Sequence, residues 1–371
     1  MSTRILIIID AFTYGGAQKV LLTLIPEWKK VGCEIEVVLI QDNSREMSSQ
    51  SVEELGVQFH RISARSMLDL RAMVLLLKLA YRFKPNLIHA HLYWAQIWAV
   101  PVRLLVSGSK LFWIEHNTYF NRSRSHWWVF RILARLTYRI ISVSYEVQHY
   151  LQSKNIVSSE VILNPISHEF TDQPQLERSN TFVFLGRLND QKNPKLAIDA
   201  FDYAKSNNLV SRDAALVIGG VGPLLDTLRI YVLGLESKDS ITFAGQLTEL
   251  QTVNLLQSSI SLVSTSKFEG FSLVRVEALA TGATVISTRT GGIMGILTAS
   301  PDSNQPISGV ILTESEVVEI ANAMSAVSDP IFWSEISVHK RVKAASRHNP
   351  SKIAKDYLVS FNKTDLNDDL G

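Results

Sequence analysis

Phe268–Thr288 reads FEGFSLVRVEALATGATVIST, and this stretch decides the fold. The apolar run Ile260–Val263 ahead of it has the length of a buried strand, and Gly270-Phe271-Ser272 reads as a turn opening a helix, with Ser272 as N-cap. Strand, turn and helix in that order put unpaired N–H groups, those of Leu273, Val274 and their neighbours, into the loop. Together with the helix dipole they suit a phosphate or another anion. Glu269 stands at the lip of that pocket, and Glu277 lies one to two turns down the helix. Two acids flanking an anion hole fit a ligand that is phosphate in the middle and polyol at both ends, such as a nucleotide sugar. Two solvated helix carboxylates are the plain alternative.

Upstream, a second α/β series opens with a strand at Thr181–Leu185, the loop Gly186–Lys192 and a helix from Pro194. Arg187 and Lys192 lie on that one loop, a planar fork and a point charge able to converge on one pyrophosphate or to pair with surface acids. Strand Ala214–Ile218 leads to Gly219-Gly220-Val221-Gly222-Pro223, followed by strand Ile241–Ala244 and a helix over Glu249–Ser258. After the central stretch, residues 299–307 read as a polar loop, and helices are expected over Glu314–Val327, Pro330–Ser346 and Ser351–Phe361.

The first half alternates in the same way. Strands are expected at Arg4–Ile9, Glu34–Ile40, Val57–Ile62, Asn86–Ala90, Lys110–Glu115, Arg139–Ser144 and Glu160–Leu163, with helices at Ala17–Val31, Leu68–Phe83 and Ala95–Val106. Such alternation means a parallel sheet with ligand loops at the C-terminal strand ends. Gly15-Gly16 sits at one such end, as a tight turn or a place of close backbone approach to a ligand. His89-Ala90-His91 and Glu115-His116-Asn117 fall at two others. A histidine pair spaced by two can bind metal, but no third ligand is suitably spaced, so no metal is expected. His116 either faces a ligand or caps the sheet edge.

Residues 121–139, NRSRSHWWVFRILARLTYR, are basic and aromatic, with Arg124, Arg131 and Arg135 on one face and Trp127, Trp128 and Phe130 interleaved. That composition suits a helix at a membrane interface or a lipid-pyrophosphate acceptor, and also a solvated face over the core. Nucleic acid is disfavoured, because no recognition motif accompanies the patch. Asn164-Pro165-Ile166 and the polar segment to Asn180 read as the linker.

The central stretch resembles the Glu, seven residues, Glu signature of retaining GT-B glycosyltransferases of family 4, from Glu269-Gly270-Phe271 to Glu277-Ala278-Leu279-Ala280 and the Val285-Ile286 finish. Gly186-Arg187-Leu188 with Lys192 resembles the family's diphosphate loop, and Thr290-Gly291-Gly292 its glycine pair. The chain departs from the pattern at Gln18 and Val221, where acids are usual, and at Met294-Gly295, where Pro-Glu is common. The resemblance is densest from Phe182 to Gly292.

It implies two Rossmann-like domains facing a cleft, residues 1–170 for the acceptor and 171–346 for the donor, with residues 347–371 forming a helix that crosses back and a loose tail. It implies a retaining, metal-independent hexosyltransferase using a UDP- or GDP-sugar and a saccharide or polyprenyl-linked acceptor, in polysaccharide or lipopolysaccharide-type synthesis. No cofactor beyond the co-substrate is expected. Glu269 would hold the donor sugar's hydroxyls and Glu277 the ribose. Gly15, Gly16, Arg187, Lys192, Gly270, Phe271, Ser272 and Leu273 would contact the donor, and His116 would lie on the acceptor side. The competing implications are a non-catalytic nucleotide-sugar-binding subunit, motivated by Gln18, Val221 and Met294, and a phosphorylase or epimerase on the same fold.

Composition is compatible with all of this. The chain has 371 residues, enough for two cores, and one cysteine, Cys33, which excludes an intramolecular disulfide and fits a reducing compartment. The net charge of +2 hides +6 over residues 1–170 and −4 over the remainder. The longest apolar segments are interrupted well short of about 20 residues, so no membrane span is expected. The N-terminal run is too short for a signal peptide, and a cytoplasmic chain, placed at the inner face of the plasma membrane, is expected.

Overall fold

The computed structural model describes residues 2–12, 15–41, 55–118, 124–171, 177–291 and 310–363. The chain divides into two compact units, Met1–Pro165 with Pro350–Gly371, and Ile166–Asn349.

The first unit is built on a seven-stranded parallel sheet in the order β3-β2-β1-β4-β5-β6-β7. The strands are β1 (Arg4–Ile9), β2 (Glu34–Leu39), β3 (Gln58–Arg61), β4 (Leu87–His91), β5 (Lys110–Glu115), β6 (Arg139–Ser142) and β7 (Glu160–Val161). Its helices are α1 (Gly16–Lys30), α2 (Leu70–Phe83), α3 (Tyr93–Leu105), α4 (Arg124–Ala134) and α5 (Tyr145–Ser153). Continuous apolar runs such as Ile5–Ile9 form central strands because helices cover both faces of a parallel sheet. α2 starts two residues later than expected, since Asp69 caps it by accepting from the Ala72 N–H at 3.2 Å.

The helix Pro350–Asn362 closes this unit against α1. Trp28 donates its indole N–H to the Ala354 carbonyl at 3.1 Å, and its ring meets Tyr357 edge-on at 5.8 Å. Arg139 Nε and Lys110 Nζ bond the Ser360 and Phe361 carbonyls at the far end of the helix.

His89, on β4, is enclosed by Trp28, Phe112 and Tyr357, with ring centroids 5.1, 5.6 and 5.0 Å away, and neither of its ring nitrogens has a hydrogen-bond partner among the described residues. Burial lowers its pKa from 6.5 to about 3, and that of His116 from 6.5 to about 4. The unfolded chain takes up protons that these native rings refuse. Stability is therefore full above about pH 6.5 and falls, by roughly 1.4 kcal/mol per pH unit per histidine, as pH drops toward 4. Urea midpoints between pH 7 and pH 4 check this, and His89→Phe should flatten the slope.

The second unit carries a six-stranded parallel sheet, order β10-β9-β8-β11-β12-β13. Its strands are β8 (Ser179–Leu185), β9 (Ala215–Gly219), β10 (Ile241–Gly245), β11 (Ser259–Ser264), β12 (Thr284–Thr288) and β13 (Val310–Thr313). The helices are α6 (Pro194–Ser206), α7 (Leu225–Val232), α8 (Glu249–Gln257), α9 (Leu273–Ala280), α10 (Val317–Val327) and α11 (Glu335–Ala345). Phe182, Phe184, Leu216, Ile218 and Val263 from the strands pack with Phe201 of α6 and Ile320 and Met324 of α10 in one core.

Two expected helices are shorter than their apolar patterns. A strand, β13, ends where the first was to begin, and the second splits at Ser334, whose hydroxyl caps α11 by accepting from the Ser337 N–H at 3.3 Å. In both sheets the chain reverses its direction of travel beside the first strand of the unit, between β1 and β4 and between β8 and β11. Ligands of such sheets bind at the C-terminal strand ends at that point.

Candidate functional site

At the switch point of the second unit, the loop after β8 and the loop after β11 are joined to each other. The Lys267 N–H bonds the Gln191 carbonyl at 2.8 Å, Gln191 Nε2 bonds the Phe268 carbonyl at 3.1 Å, and Thr265 Oγ1 bonds the Asn193 carbonyl at 2.8 Å. Across this seam Lys192 Nζ donates to Glu269 Oε1, which also accepts from Ser266 Oγ at 2.7 Å. Two expected site residues, 77 positions apart, are thus an ion pair. Both bonds fall on Oε1, so Oε2 accepts none among the described residues, and the Lys192 ammonium, with three protons, has two to spare. Arg187 stands exposed on the same loop.

α9 begins at Ser272 as expected, but the side chain does not cap it. Ser272 is buried, and its Oγ has no partner among the described residues. With no acid in the first turn, the N–H groups of Leu273 and Val274 keep their positive end uncompensated. Glu277 is buried on the same helix at 3% exposure, not solvated, and Phe271 lies against His348 with 5.3 Å between ring centroids.

A residue without any sequence signal completes the site. Arg275 of α9 is fully buried and bonds Ser264 Oγ at 3.0 Å, the Thr290 and Gly291 carbonyls at 3.2 and 3.3 Å, and Thr290 Oγ1 at 2.6 Å. It ties the ends of β11 and β12 to the helix. Gly291 in turn lies so close to the Glu269 backbone that an added Cβ would stand 2.0 Å from the Glu269 carbonyl oxygen. Gly220, at φ +130°, approaches the Gly186 carbonyl equally closely. The expected features at Gly292, Met294-Gly295 and residues 299–307 lie outside the described residues.

In the first unit, Gly15 is the extended N-cap of α1 and Gly16 its first residue, with no side-chain cap. Gln18 Nε2 anchors the turn to the Ala11 carbonyl at 2.8 Å. Asp10 occupies the N-terminus of α3 instead, accepting from the Ala95 N–H at 2.7 Å and the Trp94 N–H at 3.2 Å. Between β4 and α3, Leu92 holds φ +72°, a strained conformation for a branched side chain. His116, directly after β5, is hydrogen-bonded to His91 at 2.9 Å.

The basic aromatic segment divides differently from expectation. Trp127 is a core residue, packed edge-on against Phe130 and Tyr150, because only one of two adjacent tryptophans on a helix can face the sheet. It cannot reach a bilayer or an acceptor. Arg131 is half-buried, with Nε bonded to the Lys154 carbonyl at 2.7 Å. Trp128 remains exposed at 64%, with Val129, Ile132 and Leu136, and Arg135 lies beyond the helix end. Arg124 opens the helix; its side chain and residues 121–123 lie outside the described residues.

Two family models meet end to end on the chain: Glycosyltransferase Family 4 over residues 14–170 and Glycosyl transferases group 1 over residues 167–330. A UDP-Gal:alpha-D-GlcNAc-diphosphoundecaprenol alpha-1,3-galactosyltransferase of Escherichia coli is 29% identical over 46% of this chain and 43% of its own length. A Campylobacter jejuni alpha-1,4-N-acetyl-D-galactosaminyltransferase, named for an undecaprenol-diphosphate-linked saccharide, is 24% identical over 74% of this chain and 76% of its own. The crystal structure of Anabaena HepE with UDP-glucose shares the fold, with a TM-score of 0.79 at 17% identity, over 96% of this chain and 98% of that one. With both domain models matched in order and the doubly wound sheet repeated in each unit, the chain belongs to the GT-B glycosyltransferases of family 4.

Proposed function

We propose that the chain is a retaining, metal-independent hexosyltransferase that moves a sugar from a UDP- or GDP-linked donor to a saccharide or prenyl-linked acceptor, in polysaccharide or lipopolysaccharide-type synthesis. The observation that carries this reading is the Lys192–Glu269 pair seated beside the uncapped N-terminus of α9 at the switch point. Lys192, Arg187, the Leu273 and Val274 amides and Ser272 Oγ neutralise a departing diphosphate. Glu269 Oε2 takes a sugar hydroxyl, and Glu277 takes the ribose. Attack on the face from which the diphosphate leaves, through an oxocarbenium-like state, retains the anomeric configuration, and stabilising the leaving group is the main electrostatic task.

An acceptor carrying a prenyl chain fits the surface of the first unit. The helices over residues 70–83, 93–105 and 124–134 contain no Asp or Glu. They expose Leu70, Val74, Tyr81, Leu105 and Trp128 together with Arg71 and Lys78. Cations among exposed apolar side chains suit an anionic lipid surface, which would place the enzyme at the inner face of the plasma membrane.

The test has two stages. UDP-, GDP- or ADP-sugars at about 100 times their Kd add roughly 2.7 kcal/mol, and the matching nucleotide should raise the Tm visibly. The stabilising sugar is then offered with saccharide-diphosphate prenols in anionic phospholipid vesicles, which should also sediment the protein, and turnover should persist in EDTA. A product of inverted configuration removes the retaining assignment. Stabilisation without transfer to any acceptor favours the non-catalytic alternative.

A further inference from the structure

His91 closes β4 and His116 follows β5, so the two rings stand side by side at the C-terminal ends of neighbouring strands. They stack with 5.2 Å between centroids and share one hydrogen bond, Nδ1 of His91 to Nε2 of His116 at 2.9 Å. Loss of solvation keeps both neutral, His116 with its pKa pushed down to about 4 and His91 lowered further by its histidine neighbours. Each ring therefore carries one proton, and one ring donates while the other accepts.

The direction of that bond follows from the other side of His91. Its Nε2 is sealed from solvent and has no partner among the described residues. If His116 donated, the His91 proton would sit on Nε2, a buried N–H without an acceptor, and such orphan donors are the rarer defect in native interiors. If His91 donates from Nδ1, only a bare lone pair is left unmet. His116 then accepts at Nε2 and carries its own proton on Nδ1. Of the buried histidines described in the first unit, His89, His91 and His116, the last alone retains exposure, at 7%.

We propose that His91 is a positioning residue that locks His116 in the Nδ1–H tautomer, so that His116 meets an oxygen of the bound substrate as a fixed hydrogen-bond donor and not as a base. The proposal rests on the reading of His116 as a substrate-contacting residue, and its first test does not depend on that reading. Long-range proton–nitrogen NMR spectra of histidine-labelled protein show which ring nitrogen carries the proton. Protonated Nδ1 and bare Nε2 are expected for both His91 and His116 at neutral pH. A proton on His116 Nε2 would overturn the proposal.

For the role in turnover, His91→Phe keeps the ring packing without a donor, and His91→Asn restores an N–H close to the original one. kcat should fall about tenfold in the first and largely recover in the second, the scale of one hydrogen bond. The His116 tautomer should become mixed in the phenylalanine variant alone. Equal rates in His91→Phe and the parent chain would refute the positioning role. Full activity in His116→Ala, with the Nδ1–H tautomer observed in the parent chain, would instead refute the contact with substrate.

Discussion

On the proposed donor site, Lys192→Ala should lower glycosyl transfer by about two to three orders of magnitude, the cost of removing a group aimed at developing negative charge, while the protein stays folded. Two losses combine. The diphosphate loses a cation at the switch point, and Glu269, 6% exposed in its side chain, loses the ammonium that neutralises it and keeps only the Ser266 hydroxyl. Glu269→Ala should fall by a similar factor for the converse reason, since Lys192 then relaxes toward solvent and the sugar hydroxyl loses its acceptor. Because the two residues act as one unit, the double variant should lose little more than the worse single one, a coupling of about 3 kcal/mol in a double-mutant cycle. Rates from the three variants, with circular dichroism spectra to confirm folding, decide it. Additive losses would mean that the pair has no shared role, and near-parental rates in both single variants would remove the donor-site assignment.

Arg275→Leu should destabilise the second unit by about 3 kcal/mol, lowering its Tm by roughly 6–12 °C, and weaken donor binding at least tenfold. The leucine fills the volume but leaves the half-buried Thr290 and Gly291 carbonyls and the buried Ser264 Oγ without the guanidinium that now satisfies them. The turn at Thr290-Gly291 then loses its hold, and with it the backbone contact that sets the Glu269 loop. Arg275→Lys keeps the charge but not the fork and should fall between the two. Calorimetric unfolding and titration with the bound nucleotide check both effects. Parental stability and affinity in the leucine variant would show that the turn is held by other contacts.

Much of the architecture is legible in the sequence because a buried parallel strand needs an unbroken apolar run, and runs such as Ile5–Ile9 and Ile260–Val263 admit few other readings. Strand order is not written locally, and neither is the meeting of Lys192 with Glu269, since both depend on which strands become neighbours. β13 escapes notice because its Val310–Thr313 run is only four residues long, and α7 because it follows a glycine-proline turn after which little amphipathic length remains.

Arg275 is invisible for a different reason: on a helix an arginine reads as a solvated position, and only the folded chain reveals that its face is covered. Trp127 and Trp128 show the same limit at neighbouring positions. Period and composition mark both as interfacial, yet packing sends one inward and leaves the other outside.

The helix Pro350–Asn362 follows the whole of the second unit in sequence but completes the first one. The second unit is one continuous stretch from Ile166 to Asn349, so all of its residues are synthesised before that helix is. Until residues 350–362 are added, Trp28 and the flank of α1 have no cover, since Ala354 and Tyr357 supply it. A chain truncated at residue 349 would therefore hold every residue of the second unit and leave the first one open along α1.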